Sequence, residues 1–179
     1  MYILGDIGNS ETKVFLVSSK YKIIKSVNFS SKSINHSILK TKFKYLIKDF
    51  KKIQKILFCS VVPKSFNLIK KYLSKMTKKK CYEIKDLKLK SLIKINVNYK
   101  QVGSDRLANA ISLINKKDNF IILDFGTATT FDVIIKDSYK GGVIAPGIKI
   151  SLNTLSDKAS LIPKIDLKKI KKVIGVNTV

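Results

Sequence analysis

The sequence predicts an α/β protein built as a duplicated unit, with a ligand cleft between the two copies. Three observations carry that prediction. An Asp-x-Gly-polar signature occurs twice, as Asp6-Ile7-Gly8-Asn9 and as Asp124-Phe125-Gly126-Thr127. Each copy closes one apolar run and opens another, 2–4 into 13–17 and 120–123 into 131–135, which reads as strand, tight glycine turn and returning strand. Helical stripes and single strands follow the first hairpin, and the pattern restarts at the second.

Taken in order, residues 2–6, 12–18 and 21–29 read as three successive strands. Apolar residues at 34, 38, 39, 43, 46, 47 and 50 form a helical stripe. Residues 53–62 are a compact apolar run, a buried strand stopped by Pro63, which suits the first position of a helix carrying Phe66, Ile69 and Leu73. Short strands are expected near 81–84 and 91–97. Leu107, Ala110, Ile111 and Ile114 make a third helical stripe, capped by Ser104 or a neighbour. The second hairpin occupies 119–124 and 129–135, and the segment from Gly141 to Gly147 turns the chain into a helix through Leu155. The units divide as 1–117 and 118–179, the second of them incomplete.

Composition sets the outer limits. The chain has 179 residues, 45% of them hydrophobic, enough for one well-filled core or two small ones. No apolar run approaches the ~18 residues of a membrane span. The first residues lack the basic and apolar regions of a secretory signal, so a cytoplasmic protein is expected. Cys59 and Cys81 are too few and too far apart for a disulfide framework, and read as buried free thiols. The formal charge is +24, yet Arg106 is the one arginine among 36 basic residues. Nucleic-acid readers use arginine's planar fork, so the lysines read as a solvated surface that attracts nucleic acid only non-specifically.

Three stretches carry candidate chemistry. In the first hairpin Gly8 lets a phosphate approach the backbone. Asn9, Ser10, Thr12 and the local amides supply donors, Lys13 a point charge, and Asp6 an anchor for hydrated Mg²⁺. In the second, Thr127, Thr129 and Thr130 surround Gly126, while Asp132 is expected to face solvent or pair with a lysine. In the third, Gly103-Ser104-Asp105-Arg106 sets an acid, favoured in its ionised form by a helix N-terminus, beside the single arginine. Asp105 suits proton acceptance, and Arg106 a two-point contact with a carboxylate.

Together these residues resemble the type III pantothenate kinases, members of the actin-like superfamily that includes sugar kinases and heat-shock chaperones. The resemblance runs through residues 6–10 with Lys13, then Ser60-Val61-Val62-Pro63, Gly103 to Arg106, Asp124 to Thr130, Gly141 to Gly147 and Gly175-Val176-Asn177-Thr178. It implies a ribonuclease H-like (actin-like ATPase) fold and ATP-dependent phosphorylation of pantothenate, the first step towards coenzyme A. By motif, Asp6, Ile7, Gly8, Asn9, Ser10, Glu11, Thr12, Lys13 and Thr127 would bind ATP. Gly103, Ser104, Asp105 and Arg106 would bind pantothenate, with Asp105 as catalytic base. Asp124 would hold a monovalent cation, K⁺ or NH₄⁺, besides Mg²⁺ at Asp6. Thr178 would reach pantothenate across a homodimer interface. The pattern departs from the family at Asn96, where an aromatic residue is usual, although Tyr99 stands nearby. It also continues in the family beyond Thr178, so a C-terminally truncated second lobe is expected. The competing reading is a catalytically inactive regulatory or nucleic-acid-binding relative of the same fold.

Overall fold

A computed structural model describes residues 1–159 together with 162 and 164. Two sheets organise it. The first contains β1 (Tyr2–Ile7), β2 (Glu11–Val17), β3 (Ile23–Ser30), β4 (Lys55–Ser60) and β5 (Cys81–Glu83), in the order β3-β2-β1-β4-β5. Its first three strands form an antiparallel meander, and β4 and β5 add in parallel. Parallel addition requires crossovers, supplied by α1 (His36–Leu46) and α2 (Pro63–Thr77). The second sheet, in the order β6-β9-β8-β7, contains β6 (Lys94–Ile95), β7 (Asn119–Phe125), β8 (Ala128–Ile135) and β9 (Ser138–Pro146). In sequence α3 (Ser104–Leu113) lies between β6 and β7, and α4 (Ile148–Lys158) follows β9.

Local chemistry accounts for the helix boundaries. Asn35 caps α1, its side chain accepting from Ile38 N, and Pro63 opens α2, where its missing N–H costs nothing. Lys78, in the left-handed region at φ 57°, ends α2. The stripe read over 34–50 is shorter as a helix than expected, because Ile47 turns extended and a single-turn 3₁₀ helix takes Phe50–Lys52.

Two clusters of apolar side chains result. One packs the first sheet against α1 and α2 around Ile3, Phe43, Phe58, Ile69 and Leu73. The other packs α3, through Leu107 and Ala110, against Ile134 and Tyr139 of the second sheet. The proposed boundary at 117/118 falls between α3 and β7, while β6, which precedes it, pairs with β9.

One segment differs from its expected form. Residues 141–146, read as a turn, are strand β9, antiparallel to β8. The glycines there serve close approach: a Cβ on Gly142 would overlap the carbonyl of Phe131, and Gly141 has φ +98° at an irregularity in the ladder. The opposite face of this sheet is uncovered among the described residues, with Ile121 67%, Phe125 62% and Val143 64% exposed.

Gly5 is the glycine on which the first core depends. It sits opposite Phe58 in the β1–β4 ladder, and any Cβ there would enter the Phe58 ring. Gly5→Ala is expected to destabilise the fold by about 1–3 kcal/mol through overpacking. Urea denaturation should show Phe58→Leu in the same chain cancelling part of that loss; strictly additive effects would mean the two positions do not compete for space.

Candidate active site

The two hairpin tips and the start of α3 converge on one open cleft of about 670 Å³, within the usual range for small-molecule sites. Its lining includes Asp6, Gly8 to Glu11 and Lys13 from the first hairpin, and Asp124 to Ala128 from the second. Gly103, Asp105 and Arg106 complete it. The hairpins touch at their tips, Ser10 Oγ lying 2.9 Å from Thr127 Oγ1.

In the first hairpin, Asp6 and Lys13 are opposite one another across β1 and β2, and Gly8 N donates to Glu11 O at 3.0 Å. Gly8 and Gly126 are not in the left-handed region; their contribution is bare backbone on the cleft wall. Ser31 N donates to Ser10 O, which ties the turn to the end of β3. Glu11 accepts from Asn28 Nδ2 at 2.7 Å and stands 3.8 Å from Lys13 Nζ. Two residues of the expected ATP set turn inward. The side chain of Ile7 is in the core, and Thr12, fully buried, pairs its hydroxyl with Ser31 Oγ at 2.7 Å.

The start of α3 is fixed by β4. Of the cap expected at Ser104 or a neighbour, the neighbour Gly103 takes the position, while Ser104 is the first helical residue and donates its hydroxyl to Ser60 O at 3.2 Å. A Cβ on Gly103 would collide with Asp105 Oδ1, so glycine is what allows that carboxylate to fold back and accept from Arg106 N at 2.8 Å. Tyr99 does not enter the cleft; it packs against the second core and donates to Lys85 O at 3.1 Å. Thr178 lies outside the described residues.

Arg106 finds a partner where none was anticipated. Asp132, expected to face solvent or a lysine, is wholly buried. Its Oδ1 accepts from Arg106 Nε at 2.7 Å and lies 2.6 Å from Arg106 Nη2. Tyr139, also fully buried, donates its hydroxyl to the same oxygen at 2.5 Å. Burial works against the Arg106 cation, but Asp132 more than offsets it and its pKa lies above the ordinary value. Burial, with Asp132 next, also raises the Tyr139 phenol. The strand alternation held the missed signal: Asp132 has the same parity in β8 as buried Ile134.

Electrostatically the cleft is the reverse of the rest of the surface. Four carboxylates (Asp6, Glu11, Asp105, Asp124) line it against two cations, Lys13 and Arg106, in a chain of net charge +24. Burial raises the Asp6 pKa above 3.8, and Asp105 and Asp124 push it further up, while the Cys59 thiol, donating at 3.4 Å, pulls it back. Cys59 is itself raised, by burial and then by Asp6. Asn109 Nδ2 holds Asp124 Oδ2 at 3.1 Å. Among the described residues no three acidic, histidine or cysteine side chains form a ready-made metal cage. The donor set instead suits hard cations bound by one carboxylate each and completed by water and phosphate.

The chain is 65% identical to a type III pantothenate kinase of Pelagibacter ubique (strain HTCC1062) over 179 residues, all of this chain and 72% of the relative. It is 36% identical to one from Sulfurihydrogenibium sp. (strain YO3AOP1), again over the whole chain and 73% of the relative. A solved Baf family transcriptional activator from Campylobacter jejuni shares the fold, with a TM-score of 0.54 at 21% identity, covering 95% of this chain and 68% of that one. The family model for type III pantothenate kinase matches residues 2–179, and with those identities over the full chain the protein belongs to the type III pantothenate kinase family.

Proposed function

We propose that this protein transfers the γ-phosphoryl group of ATP to the primary hydroxyl of pantothenate, giving 4′-phosphopantothenate. Beyond family membership, one observation carries the reading. Asp105 and Arg106, on the first turn of α3, open into the same cleft as both glycine hairpins. A proton acceptor and a carboxylate anchor therefore stand beside the phosphate-binding backbone. That pairing disfavours the inactive, nucleic-acid-binding alternative, which needs neither.

The ATP phosphates would lie between the hairpins, against the amides and hydroxyls around Gly8–Ser10 and Gly126–Thr127, with Lys13 as a counter-charge. Four carboxylates would repel a bare triphosphate, so the residues fit cations that accompany it: Mg²⁺ at Asp6, and K⁺ or NH₄⁺ at Asp124. When bound, these ions supply charge neutralisation for the phosphoryl group. Phosphoryl transfer has a loose transition state and demands alignment more than a strong base. Asp105 aligns the attacking hydroxyl and takes its proton late, while Arg106 holds the substrate carboxylate. The homodimer in which Thr178 reaches a partner's site, and a cytoplasmic location, are parts of the same proposal. Among the described residues no helix is long and apolar enough to cross a membrane.

The direct test is an ADP-release assay on the 179-residue chain with ATP, Mg²⁺ and K⁺, with and without pantothenate. Pantothenate-dependent release is expected, and its absence from a folded sample counts against the reading. Asp105→Asn should lower kcat by about 10²–10⁴-fold and leave the ATP KM unchanged; a collapse of ATP binding would move Asp105 out of the base role. Exchange of K⁺ for Na⁺ should cut turnover in the parent chain but not in Asp124→Asn, which is already impaired. Equal sensitivity in both would remove Asp124 as the ligand.

Asp6 gives a test that needs no turnover. Its raised pKa means that the folded protein holds a proton more tightly than the unfolded chain. That stabilisation is complete below the ordinary carboxylate value and is lost as pH rises through the raised one. Asp6→Asn escapes the loss. Its Tm should match the parent's below about pH 4 and exceed it towards neutral pH, with Mg²⁺ narrowing the gap. Parallel pH profiles of the two proteins would show that the Asp6 carboxylate carries no such burden.

A further inference from the structure

We infer that Asp132 and Tyr139 are the positioning pair that lets Arg106 select a carboxylate-bearing substrate, an assignment resting on the kinase reading above. The guanidinium has two usable edges, one presenting Nε and Nη2 and the other Nη1 and Nη2. Asp132 occupies the first, through Oδ1 at 2.7 Å from Nε and 2.6 Å from Nη2. The approach to Nη2 is an ion pair without an aligned hydrogen, so this buried nitrogen has no hydrogen-bond acceptor among the described residues. Buried donors left without an acceptor are costly. Arg106 lines the cleft, whereas Asp132 and Tyr139 do not. The N–H groups on the side of the guanidinium away from Asp132 are therefore the ones left to meet a ligand, and a carboxylate is the acceptor whose charge suits them.

The grip on the first edge is over-determined. Tyr139 donates its hydroxyl to Oδ1 at 2.5 Å, and Thr130 Oγ1 lies 3.5 Å from Oδ2. Asp132 and Tyr139 have no exposure to water. Gly142 leaves the space for the guanidinium, since a Cβ there would stand 2.8 Å from Nη2. Asp132 also cancels the charge of Arg106. Discrimination in favour of a carboxylate then comes from where the remaining N–H groups point rather than from net positive charge. Removing the acceptor frees a long, rotamer-rich side chain.

The experiment compares kcat/KM for pantothenate with that for pantothenol, which carries a hydroxyl in place of the carboxylate. Asp132→Ala should lower the pantothenate-to-pantothenol ratio at least tenfold, through the pantothenate KM, with the ATP KM unchanged. Asp132→Asn keeps an acceptor for Nε and should restore most of the ratio. Tyr139→Phe keeps the ring and loses the donor; it should lower the ratio several-fold in the same direction, and it decides the matter if Asp132→Ala does not fold. A merely structural role would slow both substrates alike. Unchanged ratios in folded Asp132→Ala or Tyr139→Phe, with pantothenate turned over normally by the parent, overturn this inference alone. A parent chain that neither binds nor phosphorylates pantothenate overturns the kinase reading and this inference with it.

Discussion

Everything at the site depends on the first turn of α3 being held from two sides. Ser104 is tied to the end of β4 by its bond to Ser60 O, and Arg106 is tied to β8 by the buried Asp132 carboxylate. These anchors belong to different sheets, so the turn between them has little freedom. Asp105 lies between the two anchors in sequence, and its carboxylate is folded back over Gly103. A buried ion pair is a poor way to add net stability, because desolvation consumes much of the attraction. Its value here is directional: an apolar replacement would fill the space without orienting a guanidinium.

The second constraint is charge placement. A surface dominated by lysine concentrates anions around the protein without selecting among them. Selection falls to the cleft, where carboxylates outnumber cations. An anionic nucleotide would meet repulsion there unless it arrived with metal ions, which is why the proposed reading pairs ATP with cations. The sequence made the lysine excess conspicuous, but its net charge described the outside of the protein and had the wrong sign for the site.

Much of the fold was legible because its signals are local. The two Asp-x-Gly turns, the apolar runs around them and Pro63 at the start of α2 depend on neighbours in the chain, and each stands where the pattern put it. What escaped depends on contacts distant in sequence. Residues 141–146 are rich in small residues and Gly-Gly reads as a turn; only the approach of Arg106 and of the Phe131 carbonyl explains why Gly142 is needed within a strand. Thr12 looked like a phosphate donor by its place in the motif. Strand alternation, applied strictly, puts it on the face of Ile7 and Val14 rather than that of Lys13 and Asp6 only once the ladder register is known. Asp132 is the same lesson with a charge, since a carboxylate on the buried parity of a strand demands a partner and Arg106 was available.

The two hairpins share a motif but not an environment, and this difference bears on the roles proposed for their acids. On its side away from β2, β1 is backed by β4, which places the Cys59 thiol against Asp6 and takes that carboxylate partly out of water. Among the described residues no strand lies on the corresponding side of β7, and Asp124 is exposed, steadied by Asn109 from α3. A desolvated carboxylate crowded by two others gains most from a small, doubly charged ion. A hydrated one, held by a neutral amide, gains enough from a single charge and leaves the ion free to exchange. What stands behind each strand is thus compatible with the proposed assignment of Mg²⁺ to Asp6 and of a monovalent cation to Asp124. The same asymmetry would let one repeated motif serve the two cations proposed.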